Sequence, residues 1–377
     1  MMSSPVVRFW KLIVLGLAAA GLIAVHAAPA SAVVCKRTLT PDVGGGYQKL
    51  VAVSVTPSGN AWAVGEYSNL AATMTRTLIE HWNGRAWKVQ TSPRLKPRNT
   101  PFAELSGVAA TSSRNVWAVG SYGNGPNQSL VEHWNGTAWT REALPLPRGT
   151  FYSQLLGVAA TSARDAWAVG YDLRGALIFH WNGHAWKLQP SPKLGPSQLL
   201  SVTAISSHNA WAVGYRGTQG TSNPEQTLIE HWNGTAWKVQ RSPNPAVPGQ
   251  EDTIQLIGVA ASSATNVWAV GAEIYNLGDS ANSQGLVERW NGSAWQMQAN
   301  LSVSNQPIGV AATSPTDVWG VGEGLIERWN GSAWQALPNP NGWLFAVTAT
   351  SSTNVWAVGA RFPSAAGPAH TLALHCD

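Results

Sequence analysis

The chain has 377 residues, with 24 lysines and arginines against 19 aspartates and glutamates, for a formal net charge of +5. Charged residues make up only 11% of it and the basic ones never cluster, which argues against nucleic acid as a partner.

Residues 1–32 come first and read as a secretory signal. Arg8 and Lys11 supply positive charge, an apolar run extends from Leu12 to Val25, and Ala30-Ser31-Ala32 offers a small-residue cleavage site. The run is short for a membrane span and no other stretch approaches it, so the mature chain is expected to be exported, without a membrane span. Cleavage removes two bases and no acid, lowering the net charge to +3.

From residue 33 to residue 377 the chain is a repeat, expected to form one domain. A phrase Val/Ala-Trp-Ala-Val-Gly occurs seven times, centred on Trp62, Trp117, Trp167, Trp211, Trp268, Trp319 and Trp356, with Gly320 replacing alanine in the sixth copy. A second phrase, Trp-Asn-Gly-x-Ala-Trp, follows six of the seven, starting at Trp82, Trp134, Trp181, Trp232, Trp290 and Trp329. A unit of about 49 residues cannot bury its own apolar face, so neighbouring units must stack.

Each unit holds four strand-like runs. Leu156-Gly157-Val158-Ala159-Ala160-Thr161 illustrates the first, which is small and β-rich. A tight Ser/Asn/Asp turn leads to the second, Ala166-Trp167-Ala168-Val169-Gly170. A variable stretch precedes the third, such as Leu78-Ile79-Glu80-His81-Trp82, and Asn83-Gly84 opens the turn to the fourth, Ala86-Trp87-Lys88-Val89-Gln90. Short runs rich in valine, threonine and tryptophan, punctuated by Asn-Gly, predict antiparallel strands joined by hairpins. Seven such units predict an all-β, seven-bladed β-propeller of four-stranded antiparallel blades. The small first runs suit the crowded axis, and the tryptophans are expected on outer strands, filling the wedges between blades.

The seventh unit stops after its third run, Thr371 to Cys376. The segment Cys35-Lys36-Arg37-Thr38-Leu39-Thr40-Pro41 matches Trp87-Lys88-Val89-Gln90-Thr91-Ser92-Pro93 at its lysine and proline. It is therefore expected to supply the missing outer strand of the last blade and close the ring. Cys35 and Cys376 then replace the two tryptophans of the usual third-to-fourth pair, on adjacent strands within disulfide reach.

At these residues the chain resembles known propellers. The fourth-strand tryptophan resembles kelch repeats, and the Asn-Gly-x-Ala-Trp hairpin resembles a shortened Asp-box of sialidase-type propellers. The whole unit is similar to Trp-Ala-Val-Gly repeats of secreted bacterial proteins. The kelch double glycine is missing, and the Asp-box aspartate is an asparagine with one residue fewer. The resemblance implies a propeller and carries no activity with it.

Two faces follow from the propeller. The first-to-second and third-to-fourth turns are short and monotonous, whereas the second-to-third and blade-to-blade connections vary and are the place to build a binding site. The candidate ligand-binding residues on that variable face are Tyr47, Tyr67, Phe102, Tyr122, Tyr152, Tyr171, Tyr215, Tyr275, Trp343 and Arg361. Tyr67, Tyr122, Tyr171 and Tyr215 follow the glycine of the repeat and are equally readable as caps on the blade tops. Aromatic faces interspersed with hydrogen-bonding groups suit a glycan, and a rim of both charge signs suits a cell-surface or protein partner equally well.

Chemistry is harder to find. His81, His133, His180, His231 and His375 share one repeat position, held by Arg289 and Arg328 elsewhere, so they lie one per blade and cannot converge on a metal. No metal site and no cofactor are expected. The leading expectation is an exported, non-catalytic, monomeric binding protein. The alternative is a glycan-active hydrolase or lyase using a carboxylate pair from Glu66, Glu104, Asp172, Glu273 and Glu323.

Overall fold

The short apolar runs become strands because each can bury one face only against a neighbour. The computed structural model describes residues 33–95, 101–217, 225–243, 253–277, 280–298, 306–339, 342–363 and 367–377. The signal-like residues 1–32 lie outside these. Among the described residues, 28 strands form seven four-stranded antiparallel sheets, the blades of a seven-bladed propeller. In blade 1 the strands run outward in sequence order as Gly45–Val55, Ala61–Asn69, Thr75–Trp82 and Trp87–Val89. Blade 7 comprises Trp343–Ser351, Asn354–Arg361 and His370–Cys376, and its outermost strand is Cys35–Thr38 from the other end of the chain.

The glycine of the repeat phrase has a steric cause. In every blade the innermost strand shifts register opposite this residue, as between Leu50 and Ala52, and the carbonyl before the shift lies against the glycine Cα. A Cβ on Gly65 would sit 2.0 Å from the Lys49 carbonyl oxygen, and one on Gly214 would sit 1.9 Å from that of Gln198. No side chain fits there, so the bulge and the glycine are one feature.

The Asn-Gly turns are four-residue loops in which the asparagine side chain organises the backbone. Asn83 Oδ1 accepts from the amides of Arg85 and Ala86 at 3.0 and 3.1 Å, while Gly84 takes a φ of 92°. The loop sets Trp82 opposite Trp87.

The tryptophans then lock neighbouring blades. Contrary to the expectation of outer strands alone, the most deeply buried ones lie on second strands, in the repeat phrase. Trp62 packs against Trp134 and Trp139 of blade 2, with ring centroids at 5.2 and 5.5 Å. Trp356 makes the corresponding contacts with Trp82 and Trp87, which joins blade 7 to blade 1. Where blade 6 meets blade 7 the tryptophan pair is missing, and Trp319 instead shares an apolar cluster with Cys35 and Cys376. These two stand opposite each other with their Cα atoms 4.0 Å apart and form the expected disulfide.

A second inter-blade device was not foreseen from the repeat. Glu80, Glu132, Glu230, Glu288 and Glu327 are buried on third strands. The Ser-Pro connection leaving the previous blade reaches three of them: Ser92 donates to Glu132 at 2.7 Å, Ser191 to Glu230 at 3.0 Å and Ser242 to Glu288 at 2.7 Å. In blade 3 the glutamate is Phe179, and the residue in the serine position is Leu144, in the same apolar cluster. Both partners change together, so the junction stays matched. Glu80 has no hydrogen-bond partner on either oxygen among the described residues. Burial raises these carboxyls to about 8 at Glu80 and about 7 at Glu132, Glu230 and Glu288.

Candidate functional site

The histidines that invite a metal reading are structural. His81 stacks on Trp62 at 4.0 Å and its Nε2 pairs with Asn60 Oδ1 at 3.0 Å. His133, His180, His231 and His375 repeat the arrangement with Asn115, Asp165, Asn209 and Asn354. Arg289 and Arg328 fill the same niche over Trp268 and Trp319. Each ring is spent on its own blade.

The axis is different, because there one position from every blade meets the same cavity. A central channel of about 510 Å³ is lined by the innermost strands. Its wall is apolar, formed by Val51, Leu156, Leu200, Ile257, Ile308 and Phe345, with Ser106 the single polar member of that tier. Two residues earlier on each strand, at the long-loop end, stand Lys49, Glu104, Gln154, Gln198, Gln255, Gln306 and Trp343. Two residues earlier again, blades 1 to 3 carry Tyr47, Phe102 and Tyr152. The bulge between the lower two tiers leaves both on the axial side, since Lys49 and Val51, and Glu104 and Ser106, line the same channel. The mouth is thus aromatic at the rim, polar beneath it and apolar below.

Contacts at the mouth pair the first and second strands within blades 1 to 3. Lys49 Nζ lies 3.1 Å from Glu66 Oε1 and 6.0 Å from the centre of the Tyr47 ring. Ser121 donates to Glu104 Oε1 at 3.2 Å. The Tyr152 and Tyr171 hydroxyls are 3.2 Å apart, and Tyr171 donates to Gln154 at 3.0 Å. Burial raises the Glu104 carboxyl above its ordinary value, Glu66 raises it further, and the Ser121 hydrogen bond opposes both. Burial works against the Lys49 charge, but the Glu66 carboxylate prevails and leaves that ammonium with a raised pKa. Burial also raises Tyr171, with the hydrogen bond from Tyr152 next in effect. The Tyr171 hydroxyl therefore stays a protonated donor at physiological pH.

The four tyrosines that follow the repeat glycine divide by a single residue. Tyr171 and Tyr215 come directly after Gly170 and Gly214 and pair with Gln154 and Gln198 of the polar tier. Tyr67 and Tyr122 come one residue later, so they occupy the opposite sheet face. Tyr122 is buried there between Gln128 and Arg141, whose guanidinium lies 4.4 Å from its ring centre. Tyr67 lines a cleft between blades 1 and 2 with Arg76, Pro93 and Leu95. Arg361 has the same phase as Tyr67 and pairs with His370. Tyr67, Tyr122 and Arg361 therefore do not join the mouth. Trp343 does, 42% exposed and edge-on to Phe362 with centroids at 5.2 Å. The Tyr275 side chain lies outside the described residues.

Among the candidate acids, Asp172 is held in a local turn, accepting from the Arg174 amide at 2.7 Å, and Glu273 is buried and bonded to Gln284. Glu66 and Glu104 are the two that share the mouth cavity. Lys49 and the four glutamines escaped the sequence reading. Their signal was present as the residue preceding the leucine of the first run in Lys49-Leu50, Gln154-Leu155, Gln198-Leu199 and Gln255-Leu256.

No protein-family model matches the sequence, and no curated protein matches it. Solved propellers do. YCF48 bound to D1 peptide superposes with a TM-score of 0.57 at 14% identity, over 92% of this chain and 96% of that one. YCF48 from Cyanidioschyzon merolae gives 0.56 at 16% identity, over 90% and 98% of the two chains. The extracellular domain of the hybrid two component system BT4673 from B. thetaiotaomicron gives 0.56 at 11% identity, over 90% of this chain and 39% of that one. The propeller fold is shared. The kelch and Asp-box resemblances extend no further than that fold, since no family model of either kind matches. No helix among the described residues is long and apolar enough to cross a membrane.

Proposed function

We propose that this is an exported, non-catalytic binding protein that takes a cell-surface partner, a glycan or a protein segment, at the axial mouth of its long-loop face. The observation that carries the reading is that Lys49, Glu66 and Glu104 line one axial cavity, with Tyr47 beside Lys49 and the bonded Tyr152–Tyr171 pair at the same end of the inner strands. The histidine and glutamate positions of the repeat are filled for packing, whereas this ring carries lysine, glutamate, glutamine and tryptophan facing one cavity. A rigid scaffold with a variable, polar and aromatic mouth above an apolar cavity is the usual form of a recognition site. Export is supported by the pattern of residues 1–32 and by the Cys35–Cys376 disulfide.

The test is retention of the purified protein on a cell-surface fraction and on a glycan array. Tyr152→Ala and Trp343→Ala are each expected to weaken retention roughly tenfold, as loss of a stacked aromatic should. Unchanged retention in both variants counts against the mouth. A second reading rests on the Glu66 and Glu104 carboxyls sharing the cavity in unlike environments, one paired with Lys49 and the other raised by burial. That reading is a glycan hydrolase, and it requires sugar release from a polysaccharide panel that Glu66→Gln or Glu104→Gln abolishes.

A further inference from the structure

The lining of the mouth specifies more than a generic partner. Across the seven blades, two register positions form the polar tier: the residue preceding the inner-strand bulge and its partner beyond the repeat glycine. Those fourteen residues include three acids, Glu66, Glu104 and Glu323, and a single base, Lys49. The base is already committed to Glu66 at 3.1 Å. Glu104 makes no ion pair among the described residues: its one donor is the neutral Ser121 hydroxyl at 3.2 Å, Glu66 repels it, and Lys49, held by Glu66, attracts it more weakly than either acts. A half-buried carboxylate in that position is completed by a cation.

Below this tier the channel wall turns apolar in every blade except blade 2, where Ser106 follows Glu104, a step of about 6–7 Å along the strands. A group that satisfies both tiers carries its positive charge next to an apolar body. A simple neutral sugar lacks the charge, and a lysine side chain separates its charge from any apolar group by a long flexible stem. At the equivalent position of blades 3 to 6 stand Gln154, Gln198, Gln255 and Gln306, primary amides that match peptide groups in donor and acceptor character. The channel volume of about 510 Å³ suits one or two residues.

We infer that the mouth binds the free N-terminus of a polypeptide whose first side chain is apolar, with the α-ammonium at Glu104 and that side chain in the channel. This rests on the reading of the mouth as the binding site and deepens it.

Glu104→Gln is a clean probe because glutamine stands at the equivalent position of four other blades, so the fold accommodates it. Calorimetric titration of the intact, disulfide-bonded protein at pH 6.5 keeps a peptide amine protonated. The probes are Leu-Gln-Gly-Gly, its N-acetylated form, the N-acetylated peptide Gly-Lys-Leu-Gly and a neutral oligosaccharide. The free N-terminal peptide is expected to bind at least about tenfold more tightly than its acetylated form, the worth of one charge-assisted hydrogen bond. Glu104→Gln is expected to erase that difference. Equal binding of the free and acetylated peptides, or an advantage that survives Glu104→Gln, overturns the inference, as does no binding by the free peptide. Tighter binding of the lysine peptide overturns it in favour of a basic side chain. If the oligosaccharide or the acetylated peptide binds as well as the free one and Tyr152→Ala abolishes it, the mouth stands as the binding site while the N-terminal specificity falls.

Discussion

Between pH 5.5 and pH 8.5 the propeller is expected to lose several kcal/mol of stability. The cause is the set of buried glutamates between the blades. In the unfolded chain they ionise near 4.5; in the fold, burial holds Glu132, Glu230 and Glu288 to about 7 and Glu80 to about 8. Within that window the folded protein keeps protons that the unfolded chain has released, so stability falls as pH rises. The contribution is complete below about 4.5 and is lost on passing through 7 to 8. Each displacement is worth roughly 3–5 kcal/mol at about 1.4 kcal/mol per pK unit, largest at Glu80, and local relaxation takes up part of the sum. The histidines set the other limit. Burial lowers His81, His133, His231 and His375, so their contribution fades as pH drops below about 6.5. Maximum stability therefore lies on the acid side of neutrality. Urea midpoints at the two pH values measure the effect, and Glu230→Gln should flatten the slope. The double change Ser191→Leu with Glu230→Phe, which copies the Leu144–Phe179 junction, should also flatten it, while Ser191→Leu alone should destabilise. A midpoint that is constant or rises with pH would contradict this account of the junctions.

Removing the ring closure is expected to cost about 2–5 kcal/mol. The Cys35–Cys376 bond spans a sequence separation of 341 residues and fills the place of a tryptophan pair beside Trp319. The paired change Cys35→Ala with Cys376→Ala, or reduction, both releases the unfolded chain and leaves space beside Trp319. The backbone pairing of Cys35–Thr38 with the last strand remains, along with the Trp87 indole N–H donating to Thr38 at 3.1 Å, so the ring is expected to close but to fray. Hydrogen exchange should accelerate first at residues 35–38 and 370–376. A midpoint unchanged by reduction would show that pairing alone holds the two ends.

The fold was legible because the residues that build it recur. Seven copies of the tryptophan phrase and six Asn-Gly turns define blades and hairpins locally, and the two cysteines stand where two tryptophans are due. The mouth was only partly legible because it depends on phase. Tyr122 and Tyr171 look alike beside their glycines, yet one residue of offset buries the first against Arg141 on the opposite sheet face and pairs the second with Gln154 at the mouth. Lys49 and Glu104 likewise gain meaning only when inner strands of different blades surround one channel. The Ser–Glu latches were hidden for a related reason: Ser92 and Glu132 belong to successive units, and a reading taken one unit at a time never sets them side by side.

The central claim is that partners enter at the axial mouth. Its most direct test is hydrogen exchange of the protein with and without the partner captured from a cell-surface fraction. The account predicts protection at residues 47–50, 104–106, 152–156 and 171–172, with none at the short turns around Arg114, Arg164 and His208. Protection confined to those turns, or to the outermost strands, would contradict it.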